Sequence, residues 1–266
     1  MDLGLKDKVA LVTGAGRHIG RQIAITLSQE GAKVVVNDYF ADRAKAVADE
    51  IKTMGGEAMG IKADIREEAE VAAMVKEASD KFGEIDILVN NAGVLPEVLM
   101  REMGEGLGGT FAESDRKVWD GTMEVNLYGV LNCTKAVINQ MIERKYGKIV
   151  NIISDAGRVG EPRLATYSAA KAGIVGFTKA LAKEVGRYRV NVNCVGVGAT
   201  PQKGTITEIP EEKLQAWFRM YPLARGWERL GLPLDIANAV AFFASDASVW
   251  VTGQVLSVNG GYSMVD

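Results

Sequence analysis

Apolar positions along the chain fall into short unbroken runs that alternate with longer stretches of helical spacing. Val9, Ala10, Leu11 and Val12 form the first run, which opens onto a glycine-bearing segment at 13–20 and then a helical pattern over 21–29. A second strand over 33–37 ends at Asp38, and a helix over 42–54 stops at Gly55-Gly56. A weaker strand over 58–63, with Asp64 at its tip, leads into a helix carrying Val71, Met74, Val75 and Ala78 and then a strand over 85–89. Beyond these, the pattern predicts a long helix over 115–144 and a strand over 148–153 that ends at Ser154. It continues with a helix through Lys171 to about 187, a strand over 189–195, helices over 211–220 and 234–244, and a strand over 254–258. Strands alternating with helices at this interval mean βαβ units. Right-handed crossovers then predict an α/β fold: a Rossmann-type doubly wound parallel sheet of about seven strands with helices on both faces. With no linker and no low-complexity tract, residues 1–266 read as a single domain.

Two stretches interrupt the rhythm, at 94–114 and 196–232. Gly104, Gly106, Gly108 and Gly109 make the first a long loop at the carboxyl edge of the sheet, where a loop of that length in a compact domain is usually functional. Both carry apolar and aromatic side chains, among them Leu99, Met103, Phe111, Trp217, Phe218 and Trp227. They are therefore the expected substrate loops, suited to an apolar or ring-bearing small molecule.

Composition narrows the classes. The formal net charge is −3 and there is no Lys/Arg-rich run, which argues against nucleic acid or an acidic membrane surface as partner. No apolar run reaches transmembrane length, and the amino terminus enters a strand without a signal-peptide pattern, so a soluble cytoplasmic protein is expected. Cys133 and Cys194 lie far apart in apolar segments and read as core thiols rather than a disulfide or metal site. His18 is the single histidine, so no two-histidine metal site can form and no metal is expected.

The candidate chemistry sits at strand ends. The segment Thr13-Gly-Ala-Gly-Arg-His-Ile-Gly20 joins the first strand to the first helix, where glycines let the backbone approach a phosphate and the helix N-terminus favours negative charge. No Gly-Lys-Ser/Thr follows it, so it is not a Walker A loop. Asp38 can accept both hydroxyls of an adenosine ribose and would repel a 2′-phosphate, which favours NAD over NADP. Asp64 could similarly reach the adenine amino group. Tyr167 and Lys171, four residues apart on one helix face, can present a phenol and an ammonium to one cleft.

Taken in order, Thr13-Gly14-x-x-x-His18-Ile19-Gly20, Asn90-Asn91-Ala92-Gly93, Asn126, Ser154 and Tyr167-x-x-x-Lys171 resemble the short-chain dehydrogenase/reductase family over essentially the whole chain. The resemblance implies an NAD-dependent oxidoreductase that interconverts a secondary alcohol and a ketone, with Asn126, Ser154, Tyr167 and Lys171 catalytic. Tyr167 would be the general acid/base, its pKa lowered by Lys171, and Ser154 would bind the substrate oxygen. Asn126 would position a water on the proton path from Lys171. It also implies a cofactor site through Gly14, Arg17, His18, Ile19, Asp38, Asp64, Ile65, Asn91, Ala92, Gly93, Tyr167, Lys171, Val197 and Thr200, with Asn90 lining the adenosine ribose. A homotetramer, or a dimer, is the implied assembly. Two positions depart from the pattern: His18 stands where glycine is usual and is expected to face solvent or flank the phosphates, and Val197-Gly198 replaces the usual Pro-Gly. The substrate is expected to be apolar, cyclic or a β-hydroxyacyl thioester, with Arg101, Arg158 and Arg163 available to a carboxylate or phosphate. The competing class is a catalytically silent binding or scaffold subunit of the same fold, against which the intact serine, tyrosine, lysine and asparagine speak.

Overall fold

A computed structural model describes residues 3–95, 110–201 and 211–265. Residues 96–109 and 202–210 lie outside the described residues, and with them the expectations for Arg101 and for the middle of both substrate loops.

Seven strands form one parallel sheet in the order β3-β2-β1-β4-β5-β6-β7. They are β1 (Val9–Val12), β2 (Lys33–Asp38), β3 (Ala58–Lys62), β4 (Ile87–Asn90), β5 (Gly147–Ser154), β6 (Val190–Val197) and β7 (Val255–Val258). Alternate residues of β1 serve opposite faces. Ala10 and Val12 pack with Ile23 and Leu27 of α1 (His18–Gln29) and with Ile236 and Val240 of the last long helix. Val9 and Leu11 pack with Met74, Val137 and Val185 from three helices on the other side. Because both faces are covered, the central strands are buried at nearly every position, β1 being wholly apolar and β5 and β6 holding the buried polar side chains Lys148, Asn151, Asn191 and Asn193. The strand order reverses between β1 and β4, and the crevice at the carboxyl ends there is where open α/β sheets bind ligands.

The remaining helices are α2 (Ala41–Thr53), α3 (Glu68–Phe82), α4 (Arg116–Met123), α5 (Gly129–Arg144), α6 (Ala156–Val159), α7 (Ala165–Val185), α8 (Glu211–Met220), α9 (Pro222–Trp227) and α10 (Pro233–Ala244). The long helix expected over 115–144 is not continuous: a π-helical turn, Glu124–Tyr128, separates α4 from α5. Thr122 Oγ1 donates to Val118 O at 2.6 Å, and Asn126 Nδ2 donates to Thr122 O at 2.9 Å. The asparagine side chain thus takes the carbonyl that its own N–H would bond in an α-helix, and the widened turn accommodates it. The turn expected after Ser154 is the short helix α6, and the stretch read as irregular beyond 220 contains α9, entered at Pro222 in its first turn. Among the described residues no helix is long and apolar enough to cross a membrane.

Candidate functional site

The carboxyl ends of β1, β2, β4, β5 and β6 open into one cleft of about 690 Å³, within the range of small-molecule sites. Apart from Asn90, the residues expected at the dinucleotide site line it: Gly14, Arg17, His18, Ile19, Asp38, Asp64, Ile65, Asn91, Ala92, Gly93, Tyr167, Lys171, Val197 and Thr200.

At one end the glycine segment folds tightly. Gly14 has φ of +60°, and a β-carbon on it would meet Ala92 Cα at 2.8 Å, while one on Gly20 would stand 2.3 Å from Gly14 O. Side chains would therefore fill the cradle that a diphosphate needs. Asn91 and Ala92 hold this loop against β4. Asn91 Nδ2 donates to the carbonyls of Thr13 and Gly14 at 2.9 and 3.0 Å, and the Thr13 hydroxyl accepts from the N–H groups of Asn91 and Ala92, each at 3.1 Å. Asp38, 6% exposed, accepts from Gly16 N at 3.1 Å and from Phe40 N at 3.0 Å, so its carboxylate orders the glycine loop while facing the cleft.

His18 adopts φ of +50°, in the left-handed region that suits the glycine usual there. Rather than facing solvent, its imidazole lies against the carbonyls of Thr200 and Pro201, and burial holds its pKa below the ordinary value in spite of those contacts. Its Nε2 is sealed from solvent with no hydrogen-bond partner.

Also lining the cleft are Tyr39, Phe40 and Arg66, which the sequence did not single out, and Arg43, which its spacing from Asp38 placed too far along the chain to assume phosphate contact. Arg66 pairs with Asp64 at 2.6 Å through Nη2 and bonds it twice through Nε, so the carboxylate expected at the adenine is engaged by its near neighbour. Burial works against that carboxylate, but the hydrogen bonds from Arg66 outweigh it and hold Asp64 below the usual range. The guanidinium of Arg43 sits 4.2 Å over the Phe40 ring. An arginine five residues beyond Asp38 reaches the cleft because α2 starts at once after β2 and turns back over it.

At the other end stand the residues expected to be catalytic. Ser154 closes β5 beside Val197, its register partner on β6. Its hydroxyl accepts from Ala156 N at 3.2 Å and lies beside the Tyr167 phenol, which it favours in the ionised form. One turn further along α7, Lys171 is 3% exposed, with Nζ 3.0 Å from Ile152 O and 5.7 Å from the centre of the Tyr167 ring. The expected lowering of the tyrosine pKa is not what the polypeptide alone produces. Burial pushes Tyr167 up to about 12, with Ser154 opposing, and pushes Lys171 down to about 8. Near neutrality this end of the cleft holds a neutral phenol beside an ammonium. Asn126 is fully buried at the π-turn. It donates both amide protons, to Val94 O at 2.8 Å and to Thr122 O, and its Oδ1 accepts from Val94 N at 3.3 Å.

Two further expectations are corrected. Asn90 does not line a ribose: its amide donates to Asn151 Oδ1 at 2.8 Å and Thr134 Oγ1 at 3.2 Å inside the protein. Arg158 is not available to a substrate anion, because it bonds Ser257 Oγ and the carbonyl of Val265 and so ties down the C-terminal segment.

Comparison with known proteins agrees with this geometry. Residues 8–212 match the family model described as short chain dehydrogenase. The chain is 43% identical over 264 residues to the (2S)-[(R)-hydroxy(phenyl)methyl]succinyl-CoA dehydrogenase subunit BbsD of Thauera aromatica, covering 98% of this chain and 99% of that one. It is 40% identical over 258 residues to the 3-oxoacyl-[acyl-carrier-protein] reductase FabG of Staphylococcus aureus, covering 97% and 98%. A 3-oxoacyl-[acyl-carrier-protein] reductase of a Synechocystis species is 41% identical over 262 residues, covering 98% of each. The chain belongs to the short chain dehydrogenase family and is an oxidoreductase.

Proposed function

We propose that this protein interconverts a β-hydroxyacyl and a β-oxoacyl thioester with NAD, using Tyr167 as general acid/base. The observation that carries the reading is the Ser154–Tyr167–Lys171 arrangement in the cleft that the glycine segment and Asp38 also line. The substrate class draws on the relatives, whose names place the reacting group on an acyl chain carried by CoA or by an acyl-carrier protein.

Asp38 would hold the adenosine ribose, the glycine loop and α1 the diphosphate, and Lys171 the nicotinamide ribose. The bound NAD supplies the hydride acceptor or, reduced, the hydride. The polypeptide manages the proton. For ketone reduction the neutral Tyr167 phenol donates its proton to the oxygen that gains charge, while the Ser154 hydroxyl holds that oxygen. For alcohol oxidation the phenol must first lose a proton, which the nearby ammonium favours. Lys171 and Asn126 flank Gly93, where a β-carbon would stand 3.4 Å from Nζ and 2.9 Å from Oδ1, and a water at Asn126 would continue the proton path from Lys171.

Arg17 and Arg43 share the Asp38 end of the cleft, which favours NADP as a second reading; the buried negative charge of Asp38 favours NAD. A homotetramer or dimer in the cytoplasm completes the proposal, with the almost fully exposed Trp250 supporting a surface covered by another copy. Following nicotinamide absorbance with acetoacetyl-CoA and either reduced dinucleotide tests the reading. Turnover with NADH preferred is expected. Tight NADH binding with no turnover of acetoacetyl-CoA or of any secondary alcohol would instead favour a silent binding subunit.

A further inference from the structure

The C-terminal segment meets three parts of the cleft rim at one place. Asn259, just beyond β7, donates to the buried Asp155 at 2.6 Å, next to Ser154. Tyr262 donates from its phenol to Glu161 Oε2 at 2.9 Å, within the segment that connects Ser154 to Tyr167. The Tyr262 ring stacks on Tyr221, with centres 5.0 Å apart and planes 22° from parallel. Tyr221 joins α8 to α9, and its phenol oxygen accepts from Ala199 N at 3.1 Å, one residue before Thr200. The contact is close: a β-carbon on Gly198 would stand 2.8 Å from Asn259 Cα and 3.2 Å from Tyr221 Cε1. Glycine at 198 is thus required by the approach of these two residues to the strand end.

We propose that Tyr221 and Tyr262 are a positioning pair that sets the two helices at 211–227, which would lie over the acyl group outside the cleft lining, against the loop at 197–200 and the segment after Ser154. Neither side chain lines the cleft, so the pair acts through the elements it joins. The stack carries the link from the C-terminal segment to the helices, and the Tyr221 phenol carries it on to the cofactor loop. Removing the stack frees the helices and weakens hold on the acyl group. Removing only the Tyr221 hydroxyl leaves the Ala199 N–H without its partner and loosens the loop beside the dinucleotide. The kinetic part of this inference rests on the thioester reading; the mechanical part does not.

The test uses the full-length protein and the variants Tyr262→Ala, Tyr262→Phe and Tyr221→Phe. Acetoacetyl-CoA serves as the probe, with NADH affinity measured by fluorescence and amide exchange followed at 197–201 and 211–227. Tyr262→Ala is expected to raise KM for acetoacetyl-CoA about tenfold, leave kcat within about threefold, and speed exchange at 211–227. Tyr262→Phe keeps the stack and should return KM to within about threefold of the unaltered protein. Tyr221→Phe should weaken NADH binding about fivefold and speed exchange at 197–201. Unchanged KM and exchange in Tyr262→Ala would overturn the proposal, as would a loss confined to kcat that Phe does not rescue. If the unaltered protein ignores acetoacetyl-CoA, the substrate reading fails, while exchange and NADH affinity still decide for or against the pair.

Discussion

Lys171 Nζ donates to the main-chain carbonyl of Ile152 at 3.0 Å, two residues before Ser154 on the same strand. The bond fixes the ammonium under the strand end, but it leaves a positive charge that is 3% exposed, with burial driving its pKa down to about 8. The charge therefore opposes folding, a cost that the proposed role of Lys171 at the nicotinamide ribose would account for.

The sign of that cost is testable. The folded pKa lies below the ordinary value of 10.5, so the penalty is fully present below pH about 8 and vanishes as pH approaches 10.5. Lys171→Met removes the charge and loses the bond to Ile152. It should be more stable than the unaltered protein by about 1–3 kcal/mol at pH 7, with the gap narrowing from pH about 8 upward and activity lost. Urea titrations at several pH values measure it; a less stable variant at pH 7 would show that the ammonium has better partners than Ile152.

Tyr167→Phe deletes the phenol proposed to donate or accept the proton and keeps the ring. Turnover should fall by about 10²–10⁴-fold, with dinucleotide affinity within a few-fold. Since burial places the phenol at about 12, the unaltered protein should reduce ketones with no loss of rate from tyrosine ionisation across pH 6–8. Turnover in the Phe variant comparable to that of the unaltered protein would remove Tyr167 from proton transfer.

His18 carries a side chain where the backbone turns left-handed, at φ of +50°. Comparing His18→Gly with His18→Ala isolates the backbone, since both lose the imidazole and its contacts at Thr200 and Pro201. The glycine variant should be the more stable by about 1 kcal/mol, the reverse of their order inside an ordinary helix. Thermal or urea unfolding of the two variants decides; alanine equal to or above glycine would refute the strain.

How much of this was legible depends on what burial does to sequence. Strands β1 and β4 could be read because helices cover both of their faces, which makes nearly every position apolar. Strands β5 and β6 still carry enough Val and Ile to be read, although Lys148, Asn151, Asn191 and Asn193 are buried in them. The π-turn could not, because it arises from Thr122 and Asn126 competing for main-chain carbonyls, and apolar spacing carries no trace of that. Helix α9 is too short for periodicity, and Pro222 was its one signal. At the site, the spacing of Ser154, Tyr167 and Lys171 survived because a strand end and a helix face fix it. The neighbouring asparagines were harder to separate. Asn90 lies on the face of β4 that Leu88 shares, which is covered, and strand parity would have placed it with Asn151 rather than the nucleotide. Arg66 and Arg43 reach the cleft through tertiary packing alone.

Asp38 combines two tasks that substitution can separate. Its carboxylate accepts from Gly16 N and Phe40 N, which orders the glycine loop, and its charge faces the place where a ribose or a 2′-phosphate would lie. Asp38→Ala removes both acceptors and the charge, so it should cost about 1–3 kcal/mol of stability as well as nucleotide selectivity. Asp38→Asn keeps one acceptor and removes the charge. It should shift the ratio of kcat/KM for NADP against NAD about tenfold or more toward NADP at a smaller stability cost. Arg43 then has an unopposed phosphate within reach, so adding Arg43→Ala to Asp38→Asn should reverse most of that gain. Steady-state rates with both dinucleotides measure the ratio. If Asp38→Asn leaves it unchanged, the carboxylate serves the loop and not the ribose, and selectivity must come from Arg17 and Arg43 instead.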